Sequence, residues 1–476
     1  MMHSANSSAQ RLALGIGMLA VCLAFLSSQP PSKPEKPDII IIVADDLGYA
    51  DVGFHGSDIQ TPNLDWLAHQ GVALEAFYTA PMCSPTRAGL MTGRYPLRFG
   101  LMRSVIPPHR NFGLDPEEDL LPEMLARAGY DRRACIGKWH LGHADPKWHP
   151  TNQGFTHFVG CYNGAADYFT REREGEVDWH HNEQTIKSEG YSTDLITQAA
   201  VDFIEETPEA EPYFLYLPYT APHAPFQAKE ADLVKYPARK GNQRTYAAMV
   251  DCMDQGVGKI LEAVKARGKL ENTFILFMSD NGGVGKVADN RPFRGGKLTV
   301  WEGGTHVVAA AYWPRGAVKG GRVVRQHLGY IDLYPTLQAM VDAERPSTLP
   351  LDGINVLAHL QGKSPIQPRP WFTYLDQGIQ QREQMALHHG PWKVILRQDA
   401  PDYTGPQRKT EGLIFELDSL YHEHENLSEN DLHSDRFERL TKRLLEYRGM
   451  VSPNQIPRYQ EGKVGFRPPK DWIISP

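Results

Sequence analysis

Four apolar runs, at 38–44, 213–218, 273–279 and 306–313, show no polar–apolar alternation. That pattern predicts strands covered on both faces. A different period appears at 246–264, where Tyr246, Met249, Val250, Met253, Val257, Ile260, Leu261 and Val264 recur at three- and four-residue steps. This predicts an amphipathic helix, with Gly268 as its stop. A second helix is expected over 119–128, ended by Gly129, before a short strand at 132–136. Strands alternating with helices predict an α/β fold, a mostly parallel sheet covered on both sides. Beyond Trp371 the rhythm changes to short strands at 371–374, 384–388, 392–396 and 413–417. A helix bearing Phe437, Leu440, Leu444 and Tyr447 follows. This predicts a smaller α+β unit with an antiparallel sheet, its seam at 362–369.

The amino terminus has its own character. Arg11 precedes fifteen residues, 12–26, without a charge, short of the roughly 20 apolar residues that span a bilayer. The expected organisation is a signal peptide at 1–28, a Pro-rich linker at 29–37, a catalytic domain at 38–362 and a C-terminal subdomain at 363–476. Export to the periplasm or the cell exterior follows from this reading. Lipidation at Cys22 is disfavoured because Val21 is bulkier than the small residue such cleavage sites prefer. No stable membrane span is expected.

Composition narrows the class. With 50 Lys and Arg against 57 Asp and Glu, the net charge is −7, which argues against a nucleic-acid partner held by bulk positive charge. Five cysteines in 476 residues are too few for a disulfide scaffold. Cys135, Cys161 and Cys252 form an odd set once Cys22 and Cys83 are set aside, and no bridge is expected.

Chemistry collects where the predicted strands end, the place where open α/β sheets bind ligands. Asp45 and Asp46 follow the first strand, and Asp280-Asn281-Gly-Gly follows the third. The run at 213–219 leads to His223, and the strand at 132–136 leads to Gly137-Lys138-Trp-His140-Leu-Gly142. Three carboxylates and an amide oxygen make a hard site suited to calcium or magnesium rather than zinc. Taken singly, these acids could equally be turn caps. The segment Cys83-Ser-Pro-Thr-Arg87-Ala-Gly-Leu-Met-Thr-Gly-Arg94 reads as a helix start, with Ser84 as cap, Pro85 at the first helical position and Gly93 as stop. Cys83 is thereby expected just before a helix amino terminus, which favours an anion.

Cys83-x-Pro85-x-Arg87 with Met91-Thr-Gly-Arg94 resembles the signature of the type I sulfatases. In that family the cysteine is oxidised after translation to formylglycine, whose hydrate is the nucleophile. The resemblance extends over most of the chain and implies the alkaline-phosphatase-like sulfatase fold. It assigns Asp45, Asp46, Asp280 and Asn281, beside position 83, to one calcium ion. It further implies roles for Arg87, Lys138 and Lys297 on the sulfate, Asp280 and His140 in proton removal, and His223 at the leaving group. A formylglycine-generating enzyme is the implied maturation partner.

Within the family, 120–130, Gly154-Phe155, Asp167-Tyr168-Phe169, 291–297 and 301–304 look most like the arylsulfatase B, or N-acetylgalactosamine-4-sulfatase, group. That likeness implies a 4-O-sulfated galactose or N-acetylgalactosamine in a glycosaminoglycan or an algal galactan. Candidate sugar contacts are His143, Trp148, His149, Asp167 and Tyr168, with Arg291 opposite. These side chains could equally fill the core. A polyanionic substrate further requires a locally basic pocket in this acidic chain. Two other readings share the motifs: a formylglycine-dependent phosphonate or phosphodiester hydrolase, and a non-catalytic carbohydrate-binding relative with an intact thiol.

Overall fold

The central strand β1 (Asp38–Ala44) is buried at all seven positions, because its side chains alternate between two cores. Ile39, Ile41 and Val43 enter one, while Ile40, Ile42 and Ala44 enter the other. A continuous apolar run is what this two-sided burial demands. A computed structural model of the chain describes residues 35–377, 382–399, 410–429 and 431–473. The expected signal peptide, most of the linker and Cys22 lie outside the described residues. Residues 38–476 form one compact unit, and the account below concerns it.

The other strands of the main sheet are β2 (Val72–Leu74), β3 (Arg132–Lys138), β4 (His157–Cys161), β5 (His180–His181), β6 (Gln184–Thr185), β7 (Tyr213–Pro218), β8 (Thr273–Ser279), β9 (Ala309–Tyr312) and β10 (Arg322–Val324). Their order is β10-β2-β9-β8-β1-β7-β3-β4-β5-β6. The five neighbours β8-β1-β7-β3-β4 are parallel, and β9 turns antiparallel against β8. This is the mixed, mostly parallel sheet of the alkaline-phosphatase-like fold. Helices Ser192–Glu206 and Gly241–Ala266 cover one face through Ile196, Phe203, Met249 and Ile260. Helices Cys83–Thr92 and Leu121–Arg127 cover the other through Leu90, Met91, Leu121 and Met124.

Several boundaries move from the expectation. The run at 306–313 supplies a strand only at Ala309–Tyr312, since the preceding Glu302–Thr305 is a helical turn. Strand β3 continues past Gly137, so Lys138 sits on the strand end itself. The helix expected over 119–128 is Leu121–Arg127, and the one at 246–264 extends to Gly241–Ala266.

That long helix also caps another. Thr61 gives helix Pro62–Gln70 no side-chain cap. Instead Asp254 accepts from Leu64 N–H at 2.8 Å and from Asn63 N–H at 3.2 Å, satisfying donors that a helix start leaves open. Burial pushes the Asp254 carboxyl up to about 6, against the pull of those bonds. A raised folded-state value means the stability it contributes is full below its ordinary 3.8 and is lost as pH rises through about 6. Asp254→Asn removes this titration, so its urea midpoint is expected to fall less than the parent's between pH 4 and pH 6, an interval of roughly two pKa units. Parallel pH profiles for the two proteins refute the assignment.

The second sheet is antiparallel and comprises Pro370–Leu375, Arg382–His389, Trp392–Asp399 and Thr410–Glu416. Helix Ser434–Arg448 buries Leu440 and Leu444. At the expected seam, Arg369 pairs with Asp332 at 2.8 Å and Gln367 N–H donates to Gln326 at 2.7 Å.

Candidate active site

Register decides which polar residues meet. Ala44 of β1 lies opposite Ser279 of β8, so Asp45 and Asp280 leave the sheet side by side, and Asp280 N–H donates to the Ala44 carbonyl at 2.9 Å. On the other flank of β1, β7 delivers the chain to His223, and Asp45 N–H donates to Ala221 O at 3.0 Å. Lys138 arrives from β3, one strand further out, and its Nζ contacts Asp45 Oδ2. Asp46 adopts a left-handed φ of 69°.

Cys83 is the first residue of helix Cys83–Thr92 rather than the residue before it, and Met82 takes the cap position with no side-chain bond. Pro85 therefore falls at the third helical position. Ser84 does not cap: its hydroxyl donates to His140 O at 2.9 Å and accepts from Ile106 N–H at 3.2 Å. This ties the helix start to the loops around it. Gly93 closes the helix as expected, at φ 69°, in the left-handed region glycine tolerates. Cys83 is 2 % exposed. Burial pushes its thiol up while Lys138 and Lys297 pull it down.

One turn along, Arg87 is fully buried. Its Nε and Nη2 donate to Asp280 Oδ2 at 3.1 and 2.8 Å, and Nη1 donates to Lys138 O at 2.8 Å. Lys297 Nζ reaches Asp46 Oδ1 at 2.5 Å, and His223 Nε2 lies 3.6 Å from Asp46 Oδ2. The Asp280 carboxyl is pushed up to about 6 by burial and by Asp45, against Arg87. Burial would raise Asp46 as well, but Lys297 and His223 hold it well below the usual carboxylate range. His223 falls to about 3 through burial and Lys297, and its Nδ1 faces Ala224 O at 2.5 Å, leaving Nε2 toward the cluster. His140 is pressed well below its ordinary value by burial, then by Lys138 and Arg87. Its Nε2 bonds Ile106 O at 3.1 Å while Nδ1 is buried without a partner.

The acidic cluster fits a hard cation. Asp45 Oδ1 and Asn281 Oδ1 are buried with no hydrogen-bond partner, a cost native interiors rarely tolerate without a ligand. Ligand atoms of Asp45, Cys83 and Asp280 lie within 4.8 Å of one another, as do those of Asp45, Asp46 and His223. Asn281 Nδ2 is spent on Asp46 at 2.7 Å, so its free atom is the oxygen.

A cavity of about 200 Å³ opens over this cluster, lined by Cys83, His140, His223 and Lys297. Its outer wall comes from residues with no motif: the 105–108 loop, Arg173, Gln377 and Tyr459. No Asp or Glu lines it among the described residues, and Arg173 and Lys297 are the cations on its lining.

None of the six residues named for sugar contact lines this cavity. His143 and His149 are buried, bonded to Pro108 O at 2.9 Å and to His143 O at 3.2 Å. Trp148 packs over Gly113 and Gly142, where a Cβ would collide with its ring. Asp167 closes its own turn through Phe169 and Thr170 N–H groups at 2.8 and 2.7 Å. Tyr168 donates to Thr220 O at 2.6 Å and His223 O at 2.9 Å, so it props the histidine's turn from behind. Arg291 pairs with Asp289 beside a separate cavity of about 680 Å³. Cys135, Cys161 and Cys252 are free thiols, and no helix among the described residues is long and apolar enough to cross a membrane.

A parallel-centred sheet with an acidic rim and a buried helix-start thiol among cations places the chain in the alkaline-phosphatase-like class of α/β proteins. It belongs to the sulfatase family, whose model matches residues 37–343. It is 35% identical to arylsulfatase J of Mus musculus over 70% of this chain, and spans 58% of that relative's length. It is 37% identical to N-acetylgalactosamine-6-sulfatase of Homo sapiens over 72% of this chain and 69% of the relative. The crystal structure of Ps i-CgsB in complex with k-i-k-neocarrahexaose superposes with a TM-score of 0.79 at 32% identity, covering 90% of this chain and 96% of that one. The fold is shared more distantly with phosphonate monoester hydrolase SpPMH from Silicibacter pomeroyi, at a TM-score of 0.62 and 19% identity, over 88% of this chain and 96% of that one.

Proposed function

We propose that this chain is a sulfuric ester hydrolase that removes sulfate from a galactose or N-acetylgalactosamine unit of a carbohydrate. The observation that carries this reading is position 83 at a buried helix start, with Arg87, Lys138, His140, His223, Lys297 and Asp280 converging on it. Lys297 and Lys138 would neutralise sulfate oxygens and the charge developing on them, in a site too buried for water to screen. Oxidised to formylglycine by a maturation enzyme, position 83 would supply a hydrated aldehyde, one hydroxyl to attack sulfur and a second to expel sulfate.

Asp280 accepts the attacking hydroxyl's proton, and its raised carboxyl value keeps it close to a working base. His223 presents Nε2 to the departing sugar oxygen, with its ring held through Nδ1 on Ala224 O and its turn supported by Tyr168. It would protonate that oxygen as the imidazolium, the form that the negative charge of the bound sulfate ester favours. His140 Nδ1, the unpartnered atom, takes the proton of the second hydroxyl. Asp45, Asp46, Asp280 and Asn281, with position 83, would hold a calcium ion that adds positive charge beside the sulfate. Chelation is expected to lower activity about a hundredfold or more, with calcium restoring it. Full activity in protein shown by elemental analysis to be metal-free refutes this assignment.

The likeness to the N-acetylgalactosamine-4-sulfatase group supports O4 as the sulfated position. The human relative named N-acetylgalactosamine-6-sulfatase supports the same sugar and makes O6 the rival. The deciding experiment is sulfate release from 4-O-, 6-O- and 2-O-sulfated galactose and N-acetylgalactosamine oligosaccharides. The protein is coexpressed with a formylglycine-generating enzyme and supplied with calcium. Release from 4-O-sulfated sugars alone is the expected result, and release from 6-O-sulfated sugars alone moves the position to O6. No release with the aldehyde confirmed at position 83 overturns the galactose and N-acetylgalactosamine reading, and turnover of other sulfated sugars, phosphonates or phosphodiesters then identifies the substrate.

A further inference from the structure

Arg173 reaches the same cavity as Cys83, His223 and Lys297, yet no step above uses it. It sits on a two-stranded hairpin, Glu172–Arg173 paired with Glu176–Val177. The chain's C-terminal segment clamps that hairpin. Trp472 Nε1 donates to Arg173 O at 3.1 Å, Asp471 N–H donates to Glu176 at 2.9 Å, and Asp471 O accepts from Thr185 at 2.9 Å. Tyr459 and Gln377 close the same wall, and Arg110 holds the Tyr459 segment by donating to Arg458 O and Glu461 O at 3.0 and 2.7 Å.

The guanidinium is held there with its donors largely unspent. Nε is buried without a hydrogen-bond partner. The nearest carboxylate, Glu174, stands 3.8 Å away and is 45% exposed, a contact that solvent screens strongly. A planar fork of donors on a fixed backbone, facing a cavity free of carboxylates among the described residues, suits bidentate recognition of a carboxylate or sulfate. The sulfate undergoing hydrolysis is assigned above to Lys138 and to Lys297, the latter on the lining of this cavity, so the anion proposed for Arg173 is a second one.

We propose that Arg173 forms a second anion subsite, which binds a further anionic group on the substrate beside the sulfate that is removed. This rests on the sulfatase reading above and narrows its substrate to sugars carrying two negative groups. The second group is either another sulfate on the same ring or the carboxylate of a neighbouring uronate.

The test is binding, so that it does not depend on turnover. Cys83→Ala protein with calcium is titrated calorimetrically with three saccharides: N-acetylgalactosamine bearing one sulfate, the same sugar bearing two, and the monosulfated sugar joined to a uronate. One dianionic ligand is expected to bind about tenfold or more tightly than the monoanionic one, and which one does so identifies the second group. Adding Arg173→Ala is expected to bring that ratio close to one, and Arg173→Lys to leave an intermediate ratio, because it keeps the charge and loses the fork. The monoanionic affinity measured in each variant serves as its own folding control. Equal binding of all three ligands to the parent, or a ratio that survives Arg173→Ala, overturns the subsite. Failure of the sulfatase reading shows separately, as absent sulfate release from the Cys83 protein carrying the aldehyde.

Discussion

Cys83→Ala protein is expected to release sulfate about a million-fold more slowly than the converted parent, the scale on which losing a nucleophile falls. The side chain is almost wholly enclosed at the helix start, and alanine in place of the hydrated aldehyde removes only its oxygens. The thermal midpoint is therefore expected to stay near the parent's, which separates lost chemistry from lost fold. Cys83→Ser makes the sharper comparison. A serine hydroxyl could attack sulfur once, but it has no second hydroxyl with which to expel sulfate, so turnover is expected to fall as far as in the alanine variant. The unconverted cysteine protein is expected to be equally silent, since a thiol too has no second hydroxyl with which to expel sulfate. Sulfate release by ion chromatography, with the state of position 83 read by mass spectrometry, decides the point. Sustained turnover by the intact thiol or by serine overturns the assigned chemistry.

Glu302→Ala is expected to cost about 3–5 kcal/mol of stability, the range for breaking a buried charge pair. Glu302 is wholly buried between the main sheet and the second sheet. Its carboxylate accepts from Lys393 Nζ at 2.7 Å, His388 Nε2 at 2.5 Å, Tyr78 OH at 2.7 Å and His306 Nδ1 at 3.1 Å. Burial alone would raise the Glu302 carboxyl, but Lys393 and His388 hold it well below its ordinary value. Removing it leaves three donors unsatisfied and Lys393 with Glu423 alone, at 2.7 Å. Urea unfolding measures the loss. Pairing Glu302→Leu with Lys393→Met, which removes the charges together, is expected to recover part of it. A midpoint for Glu302→Ala within experimental scatter of the parent's refutes the argument. The consequence reaches the site, because Glu302 follows Lys297 by five residues. The second sheet anchors the loop that carries Lys297, the lysine proposed above to neutralise sulfate, so a fall in activity below the unfolding transition is also expected.

Much of this could be read along the chain. A strand buried on both faces needs apolar residues at every position, so 38–44 and 273–279 announce themselves, and their acidic ends follow by adjacency. The Cys83–Arg94 segment carries its signature in consecutive residues. The helix starts earlier than the local pattern predicts, because Ser84 bonds to His140 O and Ile106 N–H, partners no local pattern reveals.

The sugar contacts mark where linear reading stops. His143, Trp148, His149 and Tyr168 have the chemistry of a binding surface, but burial uses them as packing and props. Arg173, Gln377 and Tyr459 carry no motif and lie some 290 residues apart at their extremes, yet they share one cavity wall. The α/β class and the strand-end carboxylates were legible along the chain, since they follow from periodicity and adjacency, and the candidate nucleophile at Cys83 was legible through the resemblance of its segment to the sulfatase signature. Tertiary structure alone decided which of the many polar side chains face the cavity. Exposure to a shared space depends on how distant segments pack, and no local pattern encodes that.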